Sequence, residues 1–350
     1  MRMKSLQLFG LIALAAATLH SQTTNGAVYW SPVNLPPPDC SSLAGESPVA
    51  ITDSSGMTIG YSCYVSGTFV WLAAGGGWGT SIRVAAPASA AIGVDYTFYD
   101  TSGNNLRLDT TFGGGSSTTS GIGVNFALSA NQPAQVDLLG ATSDAPRYSS
   151  TSTGSVYAVF YCSDATTCGN VLPQLLYSAL PSTPWTLSVP ISWDTELWTQ
   201  WSAEGVDNGG TQRVSLAIYN EDTTATSYTV RVYDSTGSLA GTGTTPSIPP
   251  LQPLPNGSLG EGGTYGALLS DVVSTPLPSG VFKILVDGGS RYSAVEVLQF
   301  NGSSATALQV AYDSAPSSSS SVSAASVRRG NLRSARVASM PRPVFSALAK

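Results

Sequence analysis

The sequence predicts an all-β protein made of two tandem antiparallel β-sandwich domains followed by a flexible C-terminal tail. Three observations carry this. Charged residues make up only 10 % of the 350 positions, and 36 Gly and 22 Pro punctuate the chain, a composition that interrupts helices and suits short strands joined by turns. Short runs alternate apolar and polar residues, as half-buried strands do. The same landmarks then recur in the same order in two halves of the chain. The 42 % of hydrophobic residues is ample for a core and excludes global disorder.

At the N-terminus, Arg2 and Lys4 precede the apolar run from Leu8 to Ala17, which has the length of a secretory h-region and is too short to span a bilayer. Residues 1–21 are therefore expected to be an export signal cleaved after Ala17 or Ser21, and the protein to be secreted: extracellular, on the cell surface or periplasmic. No later segment has 18 uninterrupted apolar residues, so no transmembrane segment is expected. Residues 22–65 are assigned to extra strands packed on the first domain, at 66–192.

The internal repeat sets the remaining boundaries. Trp71-Leu72-Ala73-Ala74-Gly75 precedes Arg83-Val84, and Trp201-Ser202-Ala203-Glu204-Gly205 precedes Arg213-Val214 at identical spacing. Each is followed by a run ending in Tyr-Asp-[Ser/Thr]-[Ser/Thr]-Gly, at 99–103 and 233–237. Thr153–Tyr157 then corresponds to Ser279–Lys283, and Trp185–Val189 to Thr306–Val310. The second domain is placed at 193–314. Within it, Val214, Leu216 and Ile218 share one strand face, as do Tyr228, Val230 and Val232, and Phe282, Ile284 and Val286. Asp-Ser-Ser-Gly at 53–56, Asp-Thr-Ser-Gly at 100–103, Asp-Ser-Thr-Gly at 234–237 and Asp-Gly-Gly at 287–289 place Asp at turn entries and Gly where a positive φ is needed. One short connecting helix is expected over 264–273. Residues 315–350 follow a serine run with few large apolar residues and read as a disordered tail.

Charge separates along the chain. All 21 acidic residues lie between Asp39 and Asp313, where only seven basic residues stand against them, while the tail carries six basic residues and no acidic one. A body of this sign repels nucleic acid, which is not expected as a partner. Four cysteines, Cys40, Cys63, Cys162 and Cys168, are expected to oxidise in an exported chain, and sequence proximity favours Cys40–Cys63 and Cys162–Cys168, the second as a staple across a hairpin tip. An all-cysteine zinc site lacks the usual C-x-x-C pairs, and no D-x-[DN]-x-[DN]-G calcium loop is present, so neither a metal nor a cofactor is expected.

The single histidine is His20, beside the expected cleavage site. Ser-His-Asp, Cys-His and histidine-metal chemistries all need an imidazole that the remainder of the chain lacks. Lys283 is the one lysine between the leader and Lys350, and no G-x-S-x-G elbow, P-loop or G-x-G-x-x-G fingerprint occurs. Carboxylate-based hydrolysis is the surviving enzymatic option: on a strand, Asp194 and Glu196 would share one face about 7 Å apart. The same stretch is rich in tryptophan. Trp193, Trp198 and Trp201, with Trp185 nearby, would stack on sugar rings if exposed, or fill the sandwich interior and the seam between domains if buried.

Residues Phe69 to Val84, with Gly75-Gly76-Gly77-Trp78-Gly79-Thr80 at their centre and Phe98–Gly103 beyond, resemble the Gly-Gly-Gly-Trp-x-Thr β-sandwich modules found, often in tandem, in secreted proteins of acidobacteria and related soil bacteria. The second copy departs from the motif, with Asp207-Asn208-Gly209-Gly210-Thr211 at the glycine run. The resemblance implies an immunoglobulin-like or fibronectin-III-like exported module without assigned catalytic residues, so no site is carried over from it. The function expected is that of a secreted, non-catalytic structural, adhesion or interaction module, with extracellular polysaccharide or cell-surface components as partners. A carbohydrate-binding module using the Trp185–Trp201 region is the first alternative, and a carboxylate-dependent glycoside hydrolase the second.

Overall fold

A computed structural model describes residues 29–312 except 44–46, 53–54, 114, 116, 142–147, 180–185, 195–197, 253–259 and 303. The expected leader, His20, Trp185, Glu196 and the tail at 315–350 lie outside the described residues. The chain is all-β. In the first half the strands are β1 (Ser31–Pro32), β2 (Val49–Thr52), β3 (Thr58–Ala74), β4 (Trp78–Ala85), β5 (Ile92–Asp100), β6 (Leu108–Phe112), β7 (Thr119–Gly121), β8 (Gly123–Leu128), β9 (Pro133–Gly140), β10 (Ser152–Cys162), β11 (Gln174–Ala179), β12 (Thr186–Pro190) and β13 (Ser192–Trp193). In the second half they are β14 (Gln200–Val206), β15 (Gln212–Asn220), β16 (Thr229–Tyr233), β17 (Leu239–Thr244), β18 (Thr264–Leu268), β19 (Val281–Asp287), β20 (Ser293–Asn301), β21 (Ser304–Ala307) and β22 (Ala311–Tyr312).

Each half forms two antiparallel sheets over a shared core. In the first, a seven-stranded sheet ordered β1-β3-β10-β5-β8, with β2 and β13 also on β3, faces a six-stranded sheet ordered β12-β11-β4-β9-β6-β7. In the second, β17-β16-β19-β14-β22 faces β18-β15-β20-β21. The order β3-β10-β5-β8 in one half matches β14-β19-β16-β17 in the other, and β12-β11-β4-β9 matches β21-β20-β15-β18. The sequence landmarks therefore fall on strands of equal rank: Trp71 on β3 and Trp201 on β14, Arg83 on β4 and Arg213 on β15.

The cores follow the period-two alternation. Phe69, Phe98 and Phe160 of one sheet meet Ile82, Val136 and Leu175 of the other, all fully buried. In the second half, Val214, Leu216, Ile218, Val230, Val232, Phe282, Ile284 and Val286 form the core, as their alternation predicts. Burying a side chain of this size contributes about 1.5–3 kcal/mol. On the outer face of the seven-stranded sheet, Tyr29 and Ile51 pack on Tyr64, Tyr157, Val159 and Tyr161.

Turn chemistry is as the sequence indicates. Gly75, Gly76 and Gly77 have φ of 78°, 59° and 94°, three successive left-handed residues that side chains would strain, and they fold β3 into β4. Asp100 accepts from the backbone N–H of Ser102 and Asn104, and Asp234 from those of Thr236 and Ser238. Two expectations change. The first half of 264–273 is strand rather than helix: Thr264–Leu268 pairs with β15, with Tyr265 and Ala267 alternating onto the second core, and the short helix is confined to the single turn α2 (Leu269–Val272). Cys168 sits in a short helix, α1 (Ala165–Gly169), capped by the Asp164 carboxylate at Thr167 N–H, so its bridge ties the end of β10 to a helix rather than across a hairpin tip.

Both expected disulfides are formed, Cys40–Cys63 and Cys162–Cys168. Cys63 and Cys162 stand opposite each other on β3 and β10, so the two bridges fasten the same end of the sheet. Replacing Cys40 with serine is expected to lower unfolding free energy by about 2–4 kcal/mol in denaturant titration; an unchanged midpoint would refute a stabilising role. Among the described residues, no helix is long and apolar enough to cross a membrane.

Candidate functional site

The tryptophan-rich stretch runs across the junction of the halves, and the structure distributes its rings. Trp193 ends β13, packs against the first core and meets Phe160 edge-on at 6.0 Å. Trp198 packs against the second core. Trp201, 5 % exposed, lies inside that core, and its Nε1–H donates to the Ser293 carbonyl at 2.9 Å. The three rings thus serve two different cores. Asp194 is buried as well. Its backbone N–H donates to the Ser66 carbonyl, and its Oδ2 accepts from Ser66 Oγ–H at 2.6 Å and from Tyr157 O–H at 2.8 Å. Asp194 lies in the turn after β13, and Glu196, its expected partner, falls outside the described residues.

A different site appears where the second sandwich docks on the first. The face of β15 that alternates away from its own core carries Ser215, Ala217 and Tyr219. Across the ladder stand Gly266 and Leu268 of β18 and Ala294, Glu296 and Leu298 of β20. Ala217, Gly266 and Ala294 are small enough for a close approach at the middle of this face. Val70 and Trp71 of β3 pack against Ala217, Tyr219 and Ala294, and Leu298, Phe300, Ala305 and Ala307 join the first core. A Cβ at Gly266 would lie 2.8 Å from the Trp71 ring, which is why no side chain stands there. Hydrogen bonds cross the same seam: Thr264 Oγ–H donates to the Val70 carbonyl at 2.9 Å, and Thr264 N–H to the Thr101 carbonyl at 3.0 Å. Strand β21 also lies against β12, the last strand of the six-stranded sheet.

Packing along this seam leaves a cavity of about 230 Å³. The first sandwich contributes Trp71, Trp78 and Tyr177; the second contributes Glu296, Leu298 and Phe300 among its walls. Trp78 and Tyr177 meet edge-to-face at 6.2 Å, and Tyr177 O–H donates to the Trp71 carbonyl, which fixes the corner they form. Glu296 is 8 % exposed, and its Oε1 has no hydrogen-bond partner. Burial pushes its carboxyl up to about 8, because ionising it away from water is costly. The same burial, with Glu296 nearby, holds the Tyr177 phenol above its usual range. A second recess of about 460 Å³, lined by Arg83, Gln135, Gln174 and the exposed Leu172, lies on the first sandwich; there Arg83 Nε–H already donates to Gln135 at 2.7 Å.

Glu296 and Tyr177 were not among the residues picked out by sequence. The available signal was a lone carboxylate in the apolar run Ala294-Val295-Glu296-Val297-Leu298, which marks a strand covered on both faces. A scan of the chain against protein-family models and a search of curated proteins both find no match.

Proposed function

We propose that the protein is an exported, non-catalytic interaction module whose two joined sandwiches present surfaces and a cleft to extracellular polysaccharide or cell-surface partners. The observation that carries this reading is the environment of Asp194. The carboxylate best placed by sequence for hydrolysis accepts hydrogen bonds from Ser66 and Tyr157 in a buried position, where it latches the chain leaving β13 onto β3. Two disulfides support export, since such bridges persist in oxidising compartments. A sugar stacking on Trp201 would need that ring to leave its core, so the tryptophan stretch gives less support to a carbohydrate platform.

Asp194→Asn separates latch from catalyst. The substitution weakens two charge-assisted hydrogen bonds, and an unfolding loss of about 1–3 kcal/mol is expected, with no change in polysaccharide hydrolysis above background by the full chain. Turnover in the parent protein that disappears in a folded Asp194→Asn variant would overturn the non-catalytic reading. Pull-down on insoluble polysaccharides and on whole-cell envelopes identifies the partner class.

A further inference from the structure

We infer that the cavity between the sandwiches is a binding site for a small organic cation, an amine or quaternary ammonium whose charged head sits between the rings and the Glu296 carboxylate. The inference goes beyond the preceding reading and does not depend on export. Its first support is the composition of the walls. Four aromatic side chains, Trp71, Trp78, Tyr177 and Phe300, line one space, and aromatic faces attract cations, tryptophan most strongly, with more effect where water is excluded. Its second support is Glu296 itself. The carboxyl lines the cavity more than nine-tenths buried, with Oε1 lacking a hydrogen-bond partner, and a buried polar group left in this state is costly until something satisfies it.

Other ligand classes fit less well. An anion would meet a carboxylate and the negative faces of the rings. A sugar needs many hydrogen-bonding partners of both kinds, whereas this wall's side chains offer the Ser215 and Tyr177 hydroxyls, the latter already donating to Trp71, the donor-only indole N–H groups of Trp71 and Trp78, and the Glu296 carboxyl. A purely apolar molecule would leave Glu296 Oε1 unsatisfied. A primary ammonium answers the rings by charge and Oε1 by an N–H donor, and a quaternary ammonium answers rings and carboxylate through its charge. Size agrees: about 230 Å³ exceeds the roughly 150 Å³ that accommodates benzene in an engineered apolar cavity, so a head group of choline or benzylamine size is admitted.

Binding should follow the ionisation of Glu296. Among the lining residues the titratable groups are Glu296 and Tyr177. The guanidinium on the neighbouring strand, Arg213, stands opposite Phe300 and is engaged by Asp207 and Ser270. Glu296 is mostly protonated at pH 7, since burial raises it to about 8. A permanently charged ligand prefers the carboxylate, so affinity should climb from pH 6 and level off above pH 8.

The experiment is calorimetric and tryptophan-fluorescence titration of the full chain with choline and with benzylammonium, each beside its neutral isostere, 3,3-dimethylbutan-1-ol and benzyl alcohol. Saturable binding of at least one cation, tenfold or more tighter than its isostere, is expected, with a further tenfold loss in Glu296→Gln and a comparable loss in Trp78→Leu, both confirmed folded by circular dichroism. For choline, the affinity in the parent protein should rise with pH and that in Glu296→Gln should not. Equal affinity for cation and isostere, no saturable binding of either cation at millimolar concentration, or unchanged affinity in folded Glu296→Gln would each overturn the inference, whatever the hydrolysis assay on Asp194→Asn shows.

Discussion

Glu296→Gln is expected to raise the melting temperature at pH 8 and to leave it nearly unchanged at pH 4. The carboxyl is raised by burial from 4.5 to about 8 in the folded protein. A group whose folded value lies above its unfolded value stabilises fully below the unfolded value and loses that contribution as pH rises through the folded one. Between pH 4.5 and 8 the unfolded chain ionises freely while the folded chain holds its proton, so the parent protein loses on the order of 1.4 kcal/mol per pH unit at most. Glutamine removes the ionisation and keeps the shape. A gain of a few kcal/mol at pH 8 follows, roughly 5–10 °C for a chain of this size. Asp95, raised by burial to about 7, has the same sign over pH 4 to 7 and should leave a residual slope in the variant. Identical melting curves of parent and variant at pH 8 would show that Glu296 ionises without penalty.

Ala217→Asp is expected to cost about 3 kcal/mol or more and to split one calorimetric transition into two. Ala217 is buried against Val70, Trp71 and Ala294, and it stands directly opposite Glu296 on β20 and Gly266 on β18. A carboxylate there is buried without a cation and faces another acid. The inward residues of the same strand, Leu216 and Ile218, remain in the second core, so that sandwich should still fold while its docking face fails. Because the sheet β18-β15-β20-β21 contributes to two apolar clusters, the parent protein is expected to unfold as one unit. A single transition at the parent temperature in Ala217→Asp would refute the coupling.

Much of this architecture was legible because period-two alternation and Asp-to-Gly turns are local. Val230, Val232, Phe282, Ile284 and Val286 enter the core that their spacing predicts, and nearest-neighbour cysteines pair. Which surface covers the other face of a strand is a tertiary matter. Ser215, Ala217 and Tyr219 look like a solvent-facing set, yet they meet the first sandwich. Tryptophan is equally ambiguous. Trp193, Trp198 and Trp201 carry large apolar areas that suit a ligand platform or a core, and their packing on two cores is a long-range outcome that local spacing does not encode. The strand at 264–268 eluded the local pattern because its alternation is short and its pairing with β15 is long-range.

The position of β21 against β12 has a bearing on how the molecule keeps to itself. A sheet's terminal strand carries unpaired amides and carbonyls that a strand from a neighbouring molecule can use as a template. With β21 lying alongside, the second sandwich shields that margin of the first from intermolecular strand recruitment. Loosening the junction should therefore show in the ultracentrifuge as well as the calorimeter, with Ala217→Asp sedimenting as larger, concentration-dependent species while the parent protein does not.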